Sequence, residues 1–505
     1  MPTARDIAHA VNGRLSGPAA ETRDVTHNAQ QCQTGSVFVA IRGTKADGHA
    51  FIDQALQNGA GVVISELPPP ADFPAAWIQV ADARRALASA AAAVYGRPSR
   101  DLNLVGVTGT NGKTTTVYIL DAIFRAAFGV SAMLGTVETR IGDDSRPARL
   151  TTPEASETQA FLRRAVDAGC RYAAMEVSSV ALDLHRVGDV RFAAAVFSNL
   201  TQDHLDYHGD MERYFDAKLR LFDGRTGAPP ELAVVNADDE AGRRIERVIA
   251  GRTPLVRYGM NDGPEGAPPD FRVDHFETTP SGMRIRVTTP KAEAFHFQTP
   301  LTGRPHAYNV LAAAATALTL GVPLEHVATG IATVRVPGRF EIVSAPAHAF
   351  LVAVDYAHTP DALVNVTGTA RALATARAGR VITLFGCGGD KDRSKRPLMA
   401  KAAAEGSDIV VMTSDNPRSE DPEKILDDAE AGLRGLATPY HRLADRREAI
   451  AFAIGLAQPN DVVVLAGKGH ETYQILGDRT IHFDDRETAR DILARIPPKE
   501  SAHAR

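Results

Sequence analysis

The run Gly106-Val107-Thr108-Gly109-Thr110-Asn111-Gly112-Lys113-Thr114-Thr115-Thr116 constrains this chain more than any other stretch. Residues 102–107 are mostly apolar and read as a buried strand, and residues 117–128 carry a helical pattern. A strand, a glycine-rich loop and a helix in that order make a phosphate cradle: glycines let the backbone approach a phosphate, and the helix start offers free N–H groups and a partial positive charge. Lys113 is placed to neutralise β- and γ-phosphates, and the Thr114 hydroxyl to hold Mg²⁺. The loop departs from the general G-x-x-x-x-G-K-[ST] pattern, since Val107 stands where the first glycine belongs, with glycines instead at 106 and 109. The plain alternative, a Gly/Thr-rich turn with a surface lysine, does not account for the strand before it and the helix after it.

At 505 residues the chain should form about three domains of roughly 150 residues each. A net charge of −5 argues against a general polyanion-binding surface. Cys32, Cys170 and Cys387 are odd in number and far apart, which fits a reducing compartment rather than a disulfide framework. Residues 1–15 carry Arg5, Asp6 and Arg14 and lack the apolar core of a signal peptide. The longest weakly polar stretch, 311–323, is shorter than the ~20 residues of a membrane span. A cytoplasmic protein is expected, with no nucleic acid and no stable membrane association.

Along the chain, the first 95 or so residues read as a small α/β domain, with buried strands at 37–41 and 61–64, a loop at Pro68-Pro69-Pro70, a helix at 83–95 and a hinge at Arg97-Pro98-Ser99. The second domain opens with the phosphate loop. Its further strands, 172–177, 193–197 and 232–236, alternate with helical segments and imply a mostly parallel sheet covered on both faces. Residues 261–269 read as a Gly/Pro-rich loop, followed by a small antiparallel annex of strands 271–276 and 283–287 around Pro280-Ser281-Gly282. A third unit begins near Arg339, with strands at 351–354, 381–385, 409–412 and 462–466 that end in polar loops, where ligands sit in open parallel sheets. Residues 497–505 read as a frayed tail.

Several clusters carry chemistry. Thr151-Thr152-Pro153-Glu154 reads as a helix cap. Glu176, at a strand end, is equally a Mg²⁺ ligand or a solvated carboxylate. Residues 199–209 hold Asp203, His204, Asp206 and His208, a density that points to metal or phosphate chemistry without the spacing of a zinc site. Lys218, on an amphipathic helix at 214–222, reads by composition as a surface lysine.

Taken in order, these motifs resemble the Mur ligase family, ATP-dependent enzymes that build the peptide of bacterial cell-wall precursors, and the resemblance spans nearly the whole chain. Thr108 to Thr115 is similar to that family's variant phosphate loop. The resemblance implies a small N-terminal α/β domain (1–97) for the UDP end of the substrate, a central P-loop ATPase domain with a mostly parallel sheet (98–337), and a C-terminal Rossmann-like domain (338–505) for the incoming amino acid. It implies that Gly109, Thr110, Asn111, Gly112, Lys113, Thr114, Thr115, Asn309, Arg339 and Asp355 bind ATP, with Asn309 reading the adenine. It implies that Thr114, Glu176, His204 and Lys218 hold Mg²⁺, Lys218 as a CO₂-derived carbamate that turns a cation into an anionic ligand. Lys113, Glu176, His204 and Lys218 form the expected catalytic set. Thr151, Thr152, Ser178 and Arg186 match positions that hold the sugar–peptide substrate.

Asp415-Asn416-Pro417-Arg418 is similar to a motif of the relatives that add meso-diaminopimelate. An arginine there can clamp a carboxylate with two parallel hydrogen bonds, which lysine, lacking that carboxylate, would leave unpaired. Lys391, Asp415, Asn416, Arg418, Gly467 and Glu471 are the expected diaminopimelate contacts, with Glu471 accepting from the distal ammonium. Four positions depart from the family pattern: Asn28-Ala29-Gln30 near the uridine pocket, Val180 after the Glu176 motif, Leu184 for a glutamine, and Lys391 for an arginine. His306 stands where asparagine is common. The expected substrates are ATP, UDP-N-acetylmuramoyl-L-Ala-D-Glu and meso-diaminopimelate, acted on by a monomer. A ligase adding lysine, a folate-polyglutamating relative and a non-catalytic nucleotide-binding descendant are the alternatives.

Overall fold

A computed structural model describes residues 1–43, 46–260, 268–289, 291 and 293–496. The Gly/Pro-rich loop expected at 261–269 therefore lies outside the described residues except for 268 and 269, and so does the tail expected at 497–505.

Three sheets organise the chain. The first has five strands in the order Arg14–Ser16, Ala76–Gln79, Ala60–Ser65, Ser36–Val39, Asp24–Thr26, parallel except for the first pair. The Ala83–Val94 helix lays an alanine-rich face on it, capped by Asp82, whose carboxylate accepts from the Arg85 N–H. Instead of a bare hinge, the link to the central unit is a short 3-10 turn, Pro98–Arg100, with Pro98 and Ser99 buried and the Ser99 hydroxyl accepting from the Arg191 N–H.

The central sheet has eleven strands. Seven are parallel, in the order Phe271–Thr279, Leu255–Gly259, Ala233–Asn236, Ala194–Phe197, Asn103–Thr108, Tyr172–Glu176, Ala132–Leu134. The antiparallel annex expected after residue 270 extends this same sheet through Gly282–Thr288 and Ala294–Thr299. A hairpin not foreseen from the sequence, Glu138–Ile141 with Asp144–Pro147, extends the other edge. Alternation along the strands feeds two cores: Val105 and Val107 pack with the phosphate-loop helix, whereas Leu104 packs on the opposite face with Phe161 and Phe222. The weakly polar stretch 311–323 includes the buried end of the helix Arg304–Thr319, which packs in the first of these cores.

The third sheet runs Glu341–Ile342, Leu351–Asp355, Val462–Ala466, Val381–Cys387, Ile409–Ser414, Tyr440–Arg442, parallel but for its first strand and covered by helices on both faces. A separate hairpin, Tyr473–Leu476 with Arg479–His482, leans on the loop after Ile409–Ser414. Among the described residues, no helix is long and apolar enough to cross a membrane.

Candidate active site

The phosphate-loop strand Asn103–Thr108 lies at the middle of the central sheet, between Ala194–Phe197 and Tyr172–Glu176, so the ends of three parallel strands converge on one crevice. The helix after the loop begins at Lys113, earlier than the pattern from 117 implied, because Gly112 turns the chain at φ 90° and leaves the first-turn N–H groups facing the crevice. A Cβ at Gly112 would stand 2.3 Å from Asn309 Oδ1, and one at Gly109 would stand 1.9 Å from Ser198 Oγ. Gly106 differs: it sits within the strand, and its missing side chain makes room for the ring of Phe192, 2.7 Å from where a Cβ would be.

The neighbouring strand end fixes the loop. Asn199 Oδ1 accepts from the Asn111 N–H (2.9 Å), its carbonyl accepts from the Thr110 N–H (2.8 Å), and Ser198 Oγ donates to the Asn111 carbonyl (2.6 Å). Lys113 Nζ donates to the carbonyls of Gly109 (3.0 Å) and Thr110 (2.8 Å). Burial pushes the Lys113 pKa down, against the pull of Glu176 and Asp203.

Glu176 is 1% exposed, and its carboxylate accepts from the Thr136 N–H (2.7 Å) and hydroxyl (3.0 Å). Thr152 Oγ1 donates to the Glu176 carbonyl (2.9 Å) and accepts from the Ser178 N–H (3.1 Å), while Arg186 donates to the Thr152 carbonyl (3.2 Å) and pairs with Glu154 (2.8 Å). Thr151 Oγ1 lies 3.1 Å from Thr136 Oγ1, so the four residues expected at the sugar–peptide substrate sit together beside Glu176. The cap of the following helix is Glu154, which leaves both threonines free for these contacts.

Lys218 overturns its compositional reading. It is 1% exposed, donates to the Gly109 carbonyl at 2.8 Å and lies over the Tyr214 ring, close enough to Lys113, Asp203 and His204 for their charges to act on one another. Burial first, then the nearby Lys113 cation, push its pKa well below the usual lysine value. His204 is half-exposed in the left-handed region at φ 54°, with Nε2 3.4 Å from Asp203. Desolvation of its covered half and the nearby cations Lys113 and Lys218 lower its pKa against the pull of Asp203.

The C-terminal unit closes the crevice. Arg339 donates to Thr114 Oγ1 at 3.1 Å and stacks over Tyr356, its guanidinium carbon 4.6 Å from the ring centre. Asp355 accepts from the N–H groups of Phe340 (2.7 Å) and Ala357 (2.8 Å), and burial raises its pKa. Asp361 accepts from Asn111 Nδ2 at 2.7 Å, tying the phosphate loop to the opposite unit. The resulting cleft, about 250 Å³, is lined by Lys113, Thr114, Glu176, His204, Asn309, Arg339 and Asp355, and also by Asp203, Tyr356 and His358. His306 is buried, with Nδ1 2.8 Å from the Thr302 carbonyl, and its pKa falls to about 4 through burial.

A second cavity of about 330 Å³ adjoins the first and shares Asp203, His204, Tyr356 and His358 with it. Its far wall holds every expected amino-acid contact: Lys391, Asp415, Asn416, Arg418, Gly467 and Glu471. Arg418 lies at φ 53° and is half-buried rather than fully enclosed, with Nη1 donating to the Gly389 carbonyl at 2.8 Å. The hairpin holds this loop: Arg418 N–H donates to the Ile475 carbonyl (3.1 Å) and Gln474 Nε2 to the Asp415 carbonyl (2.7 Å). Asp203 belongs to the cluster noted at 199–209, whereas Tyr356 and His358, close after Asp355, were not singled out, and Thr136 and Asp361 carried no sequence signal.

The likeness to known proteins runs along most of the chain. Family models described as Mur ligase family, catalytic domain, as Mur ligase middle domain and as Mur ligase, glutamate ligase domain match residues 21–95, 107–317 and 338–469 respectively. The chain belongs to the Mur ligase family. It is 50% identical to a UDP-N-acetylmuramoyl-L-alanyl-D-glutamate–2,6-diaminopimelate ligase of Solibacter usitatus, over 94% of each chain. It is 45% identical to the ligase of the same name from Geobacillus kaustophilus, over 92% of this chain and 93% of that one. A solved structure of a ligase so named, 31% identical, superposes with a TM-score of 0.65 over 94% of this chain and 95% of the other.

Proposed function

We propose that this protein is an ATP-dependent ligase that joins meso-diaminopimelate to the D-Glu of UDP-N-acetylmuramoyl-L-Ala-D-Glu in peptidoglycan precursor synthesis. The observation that carries the reading is the meeting of two cavities at Asp203, His204, Tyr356 and His358, with a phosphate loop in one and Asp415 to Arg418 in the other. In this reading residues 1–97 take the UDP end, 98–337 take ATP and 338–505 take the amino acid, in a cytoplasmic monomer.

The reaction has two steps. The D-Glu γ-carboxylate oxygen attacks the γ-phosphorus of ATP, the bond to the β-phosphate oxygen breaks, and ADP leaves an acyl phosphate. An amino group of diaminopimelate then attacks the acyl carbon, loses a proton, and expels phosphate as the amide forms. Lys113 and the first-turn N–H groups stabilise charge on the transferring phosphoryl group, and Arg339 reaches the same ground from the C-terminal unit. Thr151, Thr152, Ser178 and Arg186 hold the acceptor beside it, and Asn309 lies against Gly112 at the nucleotide end.

The donor set fits Mg²⁺. The Glu176 carboxylate, the His204 imidazole and the Thr114 hydroxyl line one cleft, a set that suits an ion bound by one carboxylate, substrate phosphates and water. Glu176, His204 and Thr114 would hold it, together with Lys218 once its amine carries a carbamate. Bound there, Mg²⁺ would neutralise phosphate charge.

The test is phosphate release by the purified protein with ATP, the UDP-muramoyl dipeptide and each candidate amino acid. Release with diaminopimelate well above that with lysine supports the reading, and preference for lysine overturns the substrate assignment.

A further inference from the structure

The second cavity has a buried cation beneath its wall. Lys468 is 0% exposed and does not line the cavity. Its ammonium donates to Tyr473 O (2.8 Å), Asn416 Oδ1 (3.0 Å) and Glu471 Oε2 (3.4 Å), and lies 3.4 Å from Asp415 Oδ1. Three of these four partners are side chains that face the cavity. Asn416 cannot turn: its Oδ1 also accepts from the Ile475 N–H (3.0 Å), and its Nδ2 donates to Glu471 Oε2 (3.0 Å).

Charge is what makes this arrangement informative. Arg446, the other buried cation nearby, is committed to Asp485 at 2.6 Å, both side chains being 0% exposed. Asp415 and Glu471 therefore share Lys468, and this trio carries one net negative charge, beside the cations Lys391, Lys395 and Arg418 and the acids Asp203, Asp206 and Asp392 that also line the cavity. Asp415 Oδ1 accepts no hydrogen bond among the described residues and meets the Lys468 ammonium only at 3.4 Å, a costly state for a buried carboxylate oxygen. Without Lys468 the two carboxylates would repel, and one would be driven to take up a proton.

We propose that Lys468 is a positioning residue for the amino-acid substrate: it fixes Asp415, Asn416 and Glu471 as an acceptor array with one residual negative charge, matched to a single distal ammonium. Arg418 beside it takes the carboxylate of the same centre. This rests on the diaminopimelate reading above and adds to it the group that presets the distal subsite.

The test compares wild type with Lys468→Met, which keeps length and removes charge, and Lys468→Gln, which keeps a donor. The steady-state KM is measured for meso-diaminopimelate and for ATP. The inhibition constant is measured for 2-aminopimelate, which has the distal carboxylate but no distal amine. The expected result is a rise of about tenfold or more in KM for diaminopimelate, with KM for ATP and the constant for 2-aminopimelate each within about twofold of wild type. An equal loss for all three compounds, or no loss for any, overturns the positioning role. Failure of both variants to fold, read by circular dichroism melting, assigns Lys468 to the fold and overturns it as well. A wild-type protein that does not turn over diaminopimelate overturns the underlying reading; a wild type that does, with variants showing no selective loss, overturns this inference alone.

Discussion

Lys218 stands in the last turn of the Met211–Leu219 helix, where its backbone carries it under the phosphate loop. Burial and the neighbouring Lys113 favour the neutral amine, the form that reacts with CO₂. Lys218→Ala should cut ligation by more than about a hundredfold, beyond the usual cost of losing an outer-shell metal partner. Added short-chain carboxylates should restore part of it, and full activity without rescue would remove the carbamate role. Arg418→Ala should lower kcat/KM for diaminopimelate by the equivalent of about 2–5 kcal/mol, as for a truncated charge clamp, with KM for ATP unchanged. At this scale the sequence points to Lys113 through residue type and spacing and to Arg418 through the family resemblance, and the structure sets each in the lining of a cavity. It was silent where partners come from distant strands. Thr136, which holds Glu176, and Lys468, which holds Asn416 from 52 positions away, are ordinary residues until the fold places them.

Elements explain why the two glycines near the loop are not equivalent. Gly112 ends a turn in the left-handed region against Asn309, whereas Gly106 makes room for Phe192 inside a strand. Gly106→Ala should cost about 1–3 kcal/mol of stability, as overpacking does, with KM for ATP near wild type. Gly112→Ala should instead raise KM for ATP at least about tenfold through loop strain and displacement of Asn309. Thermal melting beside nucleotide titration separates the two, and matching behaviour would refute the distinction. Another element carries a pH signature. The buried Arg396 guanidinium pairs with Glu420, just after the amino-acid loop, and together with the Asp390 N–H holds the Glu420 pKa down to about 2. A carboxylate depressed on folding stabilises above its unfolded pKa near 4.5 and loses that contribution as pH falls towards 2. Glu420→Gln should therefore melt below wild type at pH 7, with the gap narrowing across that interval; a constant gap would argue against the linkage. Strands and helices with strong apolar patterns were legible. The hairpin at 138–147 was not, because Glu138–Ile141 is half-buried along its whole length and Asp144–Pro147 exposed, so neither alternates in a way that a periodicity could reveal.

Across the whole molecule, the central and C-terminal units touch through Asn111 with Asp361 and Thr114 with Arg339. Both contacts engage the loop that would hold ATP, so nucleotide occupancy and the position of the third unit are coupled. Small-angle scattering should show a larger radius of gyration for nucleotide-free Asp361→Ala than for nucleotide-free wild type. Equal radii would mean that Asp361 does not hold the units together. The three-unit plan was legible because each sheet announces itself by buried strands and glycine-bearing loops. The closure was not, since a contact such as Asn111 with Asp361 joins residues 250 apart.

The central sheet ends on one side in the strand Asp144–Pro147, four exposed residues bearing a carboxylate, a guanidinium and a proline. Another chain seeking to add a strand there would meet two charges and a missing N–H, over too short a length to hold register. That strip therefore protects against aggregation: replacing it with apolar β-branched residues would leave the crevice untouched and make the protein prone to stack edge to edge.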